Sequence, residues 1–157
     1  MLDFSIDWPS IGRHLFLLSV AFLLALPSGW NREMRAQSAG LRTFPLVSVA
    51  ACSFMLIGIE VFSQEFAQAR VMGGILTGIG FIGGGAIIKS EKNVTGTATA
   101  ASIWATGALG IAVAWQRYEI AIVLGILVFL ILNYVSKVKE RIHRREKNFN
   151  HGEHGEH

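Results

Sequence analysis

The segment Thr77–Ser90, TGIGFIGGGAIIKS, contains five glycines in the eight positions from Gly78 to Gly85, surrounded by Ile, Phe and Ala. A phosphate-binding loop is one interpretation, since the pattern G-x-G-x-x-G is present at Gly78, Gly80 and Gly83. The dinucleotide-binding form of that pattern also needs a preceding strand, a following helix and an acidic residue about 20 positions further on. The composition of the whole chain argues against such a loop and favours a helix in a membrane.

Hydrophobic residues make up 52% of the 157 residues and charged residues 16%, and the mean hydropathy is +0.45. These values lie outside the average for soluble proteins, and a membrane-spanning helix needs about 20 mostly apolar residues. We therefore predict an all-α polytopic membrane helix bundle in residues 1–136, followed by a tail in residues 137–157. The five candidate spans are about Gly12–Trp30, Leu41–Phe62, Arg70–Ile88, Thr97–Trp115 and Tyr118–Ser136.

The first span has a cleaved signal peptide as its alternative interpretation. Its N-terminal region carries Asp3 and Asp7, where a signal peptide is basic, so we favour a retained span. Most of the 14 Lys and Arg residues then fall in the connections after spans one and three and in the tail. The bias of basic residues toward the cytoplasm predicts an external N-terminus and a cytoplasmic C-terminus. This basic side can contact anionic membrane lipids, and no nucleic acid is expected as a partner.

Small residues dominate spans three and four. In lipid the backbone satisfies its own hydrogen bonds, and glycine lets a second helix approach closely. This predicts that span three lies in the bundle centre and packs against span four. The alternative is a broken helix at Gly83–Gly85 whose carbonyl groups line an ion or substrate site. The predicted helix-packing positions are Gly74, Gly78, Gly80, Gly83, Gly84, Gly85, Ser102, Thr106 and Gly110.

Polar residues near the membrane gather on the predicted cytoplasmic side. Ionisable groups at that depth are costly, which makes them candidates for a functional site when they face the bundle. For Glu33 and Arg42 we predict an inward ion pair. For Arg32, Arg35 and Lys89 we favour anchoring of the long side chains at the lipid head groups. The predicted functional polar cluster is Asn31, Arg32, Glu33, Arg42, Thr43, Thr97 and Thr99.

Motifs of enzymes are few in this chain. The patterns H-E-x-x-H and G-x-S-x-G and the Walker motif are absent, and Cys52 is the only cysteine. We therefore predict no enzyme and no cofactor, and we expect Glu60 to be a solvated loop residue.

The tail ends in NFNHGEHGEH, where histidine and glutamate could bind a transition metal weakly. The metal candidates are His151, His154 and His157, and a solvated tail without metal is the favoured alternative.

Four motifs follow one another between about Gly29 and Gly110. They are Gly29-x-x-Arg32, Ala39-Gly40-Leu41-Arg42-Thr43, the segment Gly78–Gly85, and Gly96-Thr97-Ala98-Thr99-Ala100-Ala101 with Trp104. In their order and spacing, the four motifs together resemble the MgtC/SapB family of bacterial inner-membrane proteins. The family usually has acidic or polar residues where this chain has Asn31, Gly74 and Ala98. This chain also lacks the acidic residue that in the family commonly precedes the position of Arg70.

The resemblance implies a multi-pass protein of the bacterial inner membrane that is linked to magnesium limitation, acid stress and virulence. It also implies regulation of another membrane complex, such as the ATP synthase. A subunit of a magnesium or other cation transporter is the alternative, and a structural membrane module is a third interpretation. Five short spans leave little room for a permeation path, so transport would need a homo-oligomer.

Overall fold

The chain forms a bundle of five helices with one short strand pairing. In the computed structural model, residues 7–35, 39–91 and 93–135 are described. The helices are α1 (Trp8–Met34), α2 (Thr43–Val61), α3 (Glu65–Gly85), α4 (Thr97–Ala114) and α5 (Tyr118–Leu130), and a π-helical turn at Ile131–Val135 continues α5. Strands β1 (Ile88–Lys89) and β2 (Val94–Thr95) pair antiparallel between α3 and α4.

Helices α1 to α4 are long and apolar enough to cross a membrane, and α5 with its π-helical turn is a shorter apolar helix. The prediction of an all-α membrane bundle is therefore confirmed, whereas the orientation of the termini stays a prediction. The third span ends earlier than expected, because the residues after Gly85 leave the helix and form β1. The tail in residues 137–157, with the predicted metal-binding histidines, lies outside the described residues.

Successive helices run in alternating directions, so the bundle has two ends. Arg32 near the end of α1 contacts Thr99 near the start of α4; we call this the Arg32 end. Arg13 near the start of α1 contacts Glu60 near the end of α2; we call this the Glu60 end.

Helix α4, and not α3, is the central helix of the bundle. It packs against each of the other four helices. In α4, 11 of the 18 residues are buried, against 3 of the 21 residues in α3. The prediction that span three lies in the bundle centre is therefore wrong within this chain. Most residues of α4 are alanine, glycine, serine or threonine, and these small residues let the other four helices pack closely against it.

One face of α3 packs against α4, and the opposite face has no neighbour among the described residues. The packed face carries Ile75, Ile79 and Gly83, which are buried. Ile79 fills the space beside Gly107 of α4, so that a β-carbon added at Gly107 would collide with the Ile79 side chain. A β-carbon added at Gly83 would lie 3.1 Å from the Ala100 carbonyl oxygen. A β-carbon would meet no atom within 4 Å at Gly73, Gly74, Gly78, Gly80, Gly84 or Gly85.

Ser102 and Thr106 of α4 lie in the core and bond within their own helix. Ser102 Oγ donates to the Ala98 carbonyl oxygen at 2.8 Å, and Thr106 Oγ1 donates to the Ser102 carbonyl oxygen at 2.8 Å. These bonds let small polar residues remain buried in an apolar bundle. Gly110 lies directly against the backbone of Ser48 in α2, where a β-carbon would collide with the carbonyl oxygen.

Gly96 makes the entry into α4 possible. Its φ angle is +85°, and a β-carbon there would collide with the Ala86 carbonyl oxygen. Only glycine adopts this conformation at low cost. The strand pairing can therefore return directly into the first turn of α4, which brings Thr99 toward α1.

Candidate functional site

Arg32 is the buried cation of the Arg32 end. Its side chain lies in the last turn of α1 and is only 5% exposed. Its Nη2 atom donates a hydrogen bond to Oγ1 of Thr99, which is 2% exposed in the first turn of α4. The C-terminal end of a helix favours a positive charge, so the position in α1 stabilises the guanidinium. Arg32 therefore points into the bundle, and the anchoring predicted for it at the lipid head groups is wrong.

Asn31 adds an unused acceptor beside Arg32. Its side chain is half-buried, and its Oδ1 atom is shielded from solvent without receiving a hydrogen bond from any described residue. Buried amide oxygens without a donor are rare and costly. Two consecutive residues, Asn31 and Arg32, therefore both place polar atoms in the interior at this end of the bundle.

Glu33 organises the connection from α1 to α2. Its Oε2 atom accepts a hydrogen bond from the Leu41 backbone N–H at 3.1 Å. A β-carbon at Gly40 would collide with that carboxylate, and one at Gly29 would lie 3.2 Å from the Gly40 carbonyl oxygen. The two glycines thus allow the chain to pass close to α1, and the carboxylate holds the backbone just before the start of α2.

The predicted ion pair between Glu33 and Arg42 does not form among the described residues. The Glu33 carboxylate bonds to the backbone of Leu41 instead, and Arg42 is exposed beside the first turn of α2. Thr43 is half-buried and Thr97 is exposed. The predicted cluster is therefore divided, since Arg32 and Thr99 meet in the interior while Arg42 and Thr97 lie on the surface.

The other two basic residues of this end differ from each other. Arg35 Nη2 donates to the carbonyl oxygen and to Oδ1 of Asn133, each at 3.2 Å, which ties the end of α1 to the π-helical turn. Lys89 lies exposed in β1. Anchoring at head groups therefore stays a prediction for Lys89, while Arg35 has a structural contact that sequence reasoning missed.

A second polar cluster, at the Glu60 end, was also missed. Arg13 Nη2 donates to Glu60 Oε1 at 2.7 Å, and His14 Nε2 lies 2.6 Å from the same oxygen. The expectation that Glu60 is a solvated loop residue is wrong, because Glu60 belongs to the last turn of α2 and pairs with α1. In residues 7–35, 39–91 and 93–135, no group of three or more His, Cys, Asp or Glu side chains could hold a metal ion.

The motif residues converge at the Arg32 end. Gly29-x-x-Arg32 closes α1, Ala39–Thr43 opens α2, the glycine-rich segment ends α3, and Gly96–Ala101 opens α4. The family model described as the MgtC family matches residues 18–141. The chain belongs to the MgtC family. The MgtC-family motifs therefore build one end of this bundle and not a path along its length.

Three relatives illustrate the similarity. The chain is 31% identical over 121 residues to a protein of Escherichia coli (strain K12) named "Putative magnesium transporter YhiD", covering 73% of this chain and 56% of the relative. It is 38% identical over 104 residues to "Protein MgtC" of Brucella abortus, covering 66% and 43%. It is 30% identical over 130 residues to "Protein SrpB" of Synechococcus elongatus, covering 74% and 70%.

The chain spans about half the length of each of the first two relatives. No solved structure matches it.

Proposed function

We propose that this MgtC-family chain is a non-enzymatic, multi-pass protein of the bacterial inner membrane that regulates another membrane protein complex through direct helix contacts. The observation that carries this proposal is the glycine face of α3, where no described residue lies beside six of the glycines. In this proposal residues 1–136 form the membrane domain and residues 137–157 a cytoplasmic tail.

A glycine face suits a protein partner better than lipid. Glycine offers lipid tails little surface to pack against, whereas it allows a second helix to approach closely enough for extensive van der Waals contact. Glycine within a helix also costs about 0.5–1 kcal/mol relative to alanine. A close protein contact supplies a reason to keep six such residues on one helix.

A groove beside the glycine face extends the surface available to a partner. It lies between α2 and α3, has a volume of about 500 Å³ and is almost entirely apolar. Its walls include Phe54 and Ile57 of α2 and Gly74, Gly78 and Ile82 of α3. An incoming helix could contact the glycine face while its larger side chains enter this groove.

The identity of the regulated complex rests on the family resemblance. The resemblance supports the ATP synthase as the target and supports magnesium limitation, acid stress and virulence as the setting. A regulator of this kind would lower ATP-driven proton pumping by its target. The contact surface and the target are separate parts of the proposal and need separate measurements.

The contact surface is tested by photocrosslinking in native membranes with p-benzoylphenylalanine in place of Gly80. We expect a crosslink to a subunit of another membrane complex, identified by mass spectrometry. The matched control carries the same group in place of Leu46, which is exposed on α2. Crosslinks to lipid alone at both positions would contradict the proposal, and crosslinks only to a second copy would replace it with self-association.

The target is tested by ATP-driven proton pumping in inverted membrane vesicles. Adding the chain should reduce pumping, and the Gly80→Leu variant should reduce it less, because the leucine side chain blocks close approach. Equal pumping with and without the chain would exclude the ATP synthase as the target.

Magnesium transport is the second candidate, favoured by the name of the Escherichia coli relative. For this candidate, the buried Arg32–Thr99 pair would lie at one end of the path. The test is magnesium entry into proteoliposomes that contain the purified protein. Entry that is lost in a folded Thr99→Val variant would support transport, and no entry with correctly inserted protein would exclude it under those conditions.

A further inference from the structure

A polar cleft opens at the Glu60 end where three helices come together. It lies between the start of α3, the end of α4 and the start of α5, and its volume is about 580 Å³. Its lining residues are Glu65, Gln68, Ala69, Trp115, Arg117 and Ile120. We propose that this cleft binds a zwitterionic phospholipid of the phosphatidylethanolamine type, with the ammonium group at Glu65 and the phosphate at Arg117.

The two charges of the cleft are available to a ligand. Neither the Glu65 carboxylate nor the Arg117 guanidinium forms an ion pair or a hydrogen bond with another described residue. Opposite charges that share a cleft without pairing offer complementary sites to a ligand that carries both signs. A phosphate group suits the planar guanidinium of arginine in particular, because the two can form paired hydrogen bonds.

Backbone hydrogen bonds fix the turn that carries Arg117 at the cleft. Arg117 N–H donates to the Ala112 carbonyl oxygen at 2.8 Å, and the Arg117 carbonyl oxygen accepts from the N–H groups of Ile120 and Ala121 at 3.1 Å. Gln68 Nε2 donates to the Phe62 carbonyl oxygen at 2.7 Å. The backbone donors of the turn and one donor of Gln68 are thereby occupied, whereas the charged groups of Glu65 and Arg117 have no hydrogen-bond partner among the described residues.

The apolar surroundings indicate a lipid and not a small soluble zwitterion. Trp115 is 39% exposed at the cleft, and tryptophan is enriched at the level of the head groups. Below the cleft, Ile120, Val123 and Leu127 are each about half exposed on α5. Their spacing of three and four residues places them on one face of the helix. This apolar stripe provides a path for an acyl chain that starts at the cleft.

Native mass spectrometry of the delipidated full chain tests the assignment. Dioleoyl phosphatidylethanolamine should bind more tightly than dioleoyl phosphatidylglycerol, which has the same acyl chains but no ammonium group. Glu65→Gln should weaken phosphatidylethanolamine binding about threefold, the range of an exposed ion pair, and should not weaken the binding of phosphatidylglycerol, which has no ammonium group to pair with the carboxylate. Arg117→Gln should weaken the binding of both lipids, because both carry a phosphate.

The matched control is Glu91→Gln, which removes an exposed carboxylate at the opposite end of the bundle. It should alter the binding of neither lipid. Equal effects of Glu65→Gln and Glu91→Gln would overturn the proposal, as would equal binding of the two lipids to the unchanged protein. Soluble glycerophosphoethanolamine should not displace the bound lipid at equal concentration, and full displacement would overturn the assignment to a lipid.

Helix content measured by circular dichroism checks that each variant is folded. Should Glu65→Gln lose helix content, Val123→Ser provides the second test, since it alters the acyl stripe without touching the charges. Val123→Ser should weaken the binding of both lipids equally. Unchanged binding of both lipids would contradict the proposed path of the acyl chain. None of these measurements involves the glycine face of α3, so the lipid site and the regulatory function can fail independently.

Discussion

Arg32 donates a hydrogen bond from Nη2 to Oγ1 of Thr99, a residue 67 positions further along the chain. The bond joins the last turn of α1 to the first turn of α4 in a region where both side chains are buried. A guanidinium needs polar partners when it leaves water. The pair therefore couples the position of α1 to the central helix of the bundle.

Thr99→Val is expected to destabilise the bundle. Valine has nearly the shape of threonine but cannot accept the hydrogen bond from Arg32, and losing one partner of a buried charged group costs about 1–3 kcal/mol. The measurement is thermal unfolding in detergent. The matched control is Thr97→Val, because Thr97 is exposed in the same turn. A stability loss that is equal in the two variants would show that the Arg32 contact contributes nothing.

Gly110→Ala is expected to destabilise the bundle, and Gly78→Ala is not. A β-carbon at Gly110 collides with the Ser48 backbone, and overpacking of this kind costs about 1–3 kcal/mol. At Gly78 the space is open, and alanine favours a helix by about 0.5–1 kcal/mol over glycine. Unfolding midpoints of the two purified variants should move in opposite directions. A larger loss at Gly78 would instead favour the predicted central position of span three.

Gly40→Ala is expected to disturb the start of α2. The added methyl group would collide with the Glu33 carboxylate and displace it from the Leu41 N–H, with a loss of about 1 kcal/mol, typical of a single hydrogen bond. Hydrogen exchange of the Leu41 amide reports this contact directly, and it should become faster in the variant. Leu41 exchange that is unchanged in Gly40→Ala would contradict the assigned role of Glu33.

Glu60→Gln is expected to have a small effect that depends on salt. Glu60 pairs with Arg13 and His14, but the side chains of Arg13 and Glu60 are 54% and 43% exposed. Exposed pairs contribute about 0–1 kcal/mol and are screened by salt. Thermal unfolding at low and high salt should show a difference between wild type and variant only at low salt. Glu119→Gln is the control, and an equal change in it would exclude a specific pair.

The sequence predicted the helices well because hydropathy alone determines which segments are long and apolar enough to span a membrane. It did not predict which helix is central. Both α3 and α4 are rich in small residues, and in lipid such residues mark a close contact without showing whether the neighbour belongs to the same chain. Gly107 and Gly110 meet neighbours within this chain, whereas Gly78 and Gly80 meet none in the part of the chain that the structure describes.

The polar residues were predicted to lie at one end of the bundle, and they do, but the directions predicted for Arg32 and Arg42 were wrong. Arg32 and Arg42 both lie near helix ends, and a difference of one or two positions in the helical turn decides whether a side chain faces α4 or the surface. The pairing of Glu60 with Arg13 could have been found. In the predicted topology the start of span one and the end of span two lie on the same side, and both carry charged residues.

The contact of Ile79 with Gly107 also restricts how α3 can move. One helical turn, about 5.4 Å, separates Gly107 from the positions above and below it on the same face of α4. Those positions hold Ile103 and Ile111, both buried. Sliding α3 by one turn in either direction would drive the Ile79 side chain into an isoleucine. A molecule that docks on the outer side of α3 can therefore tilt or rotate this helix, but it cannot shift the helix by one turn along its own axis.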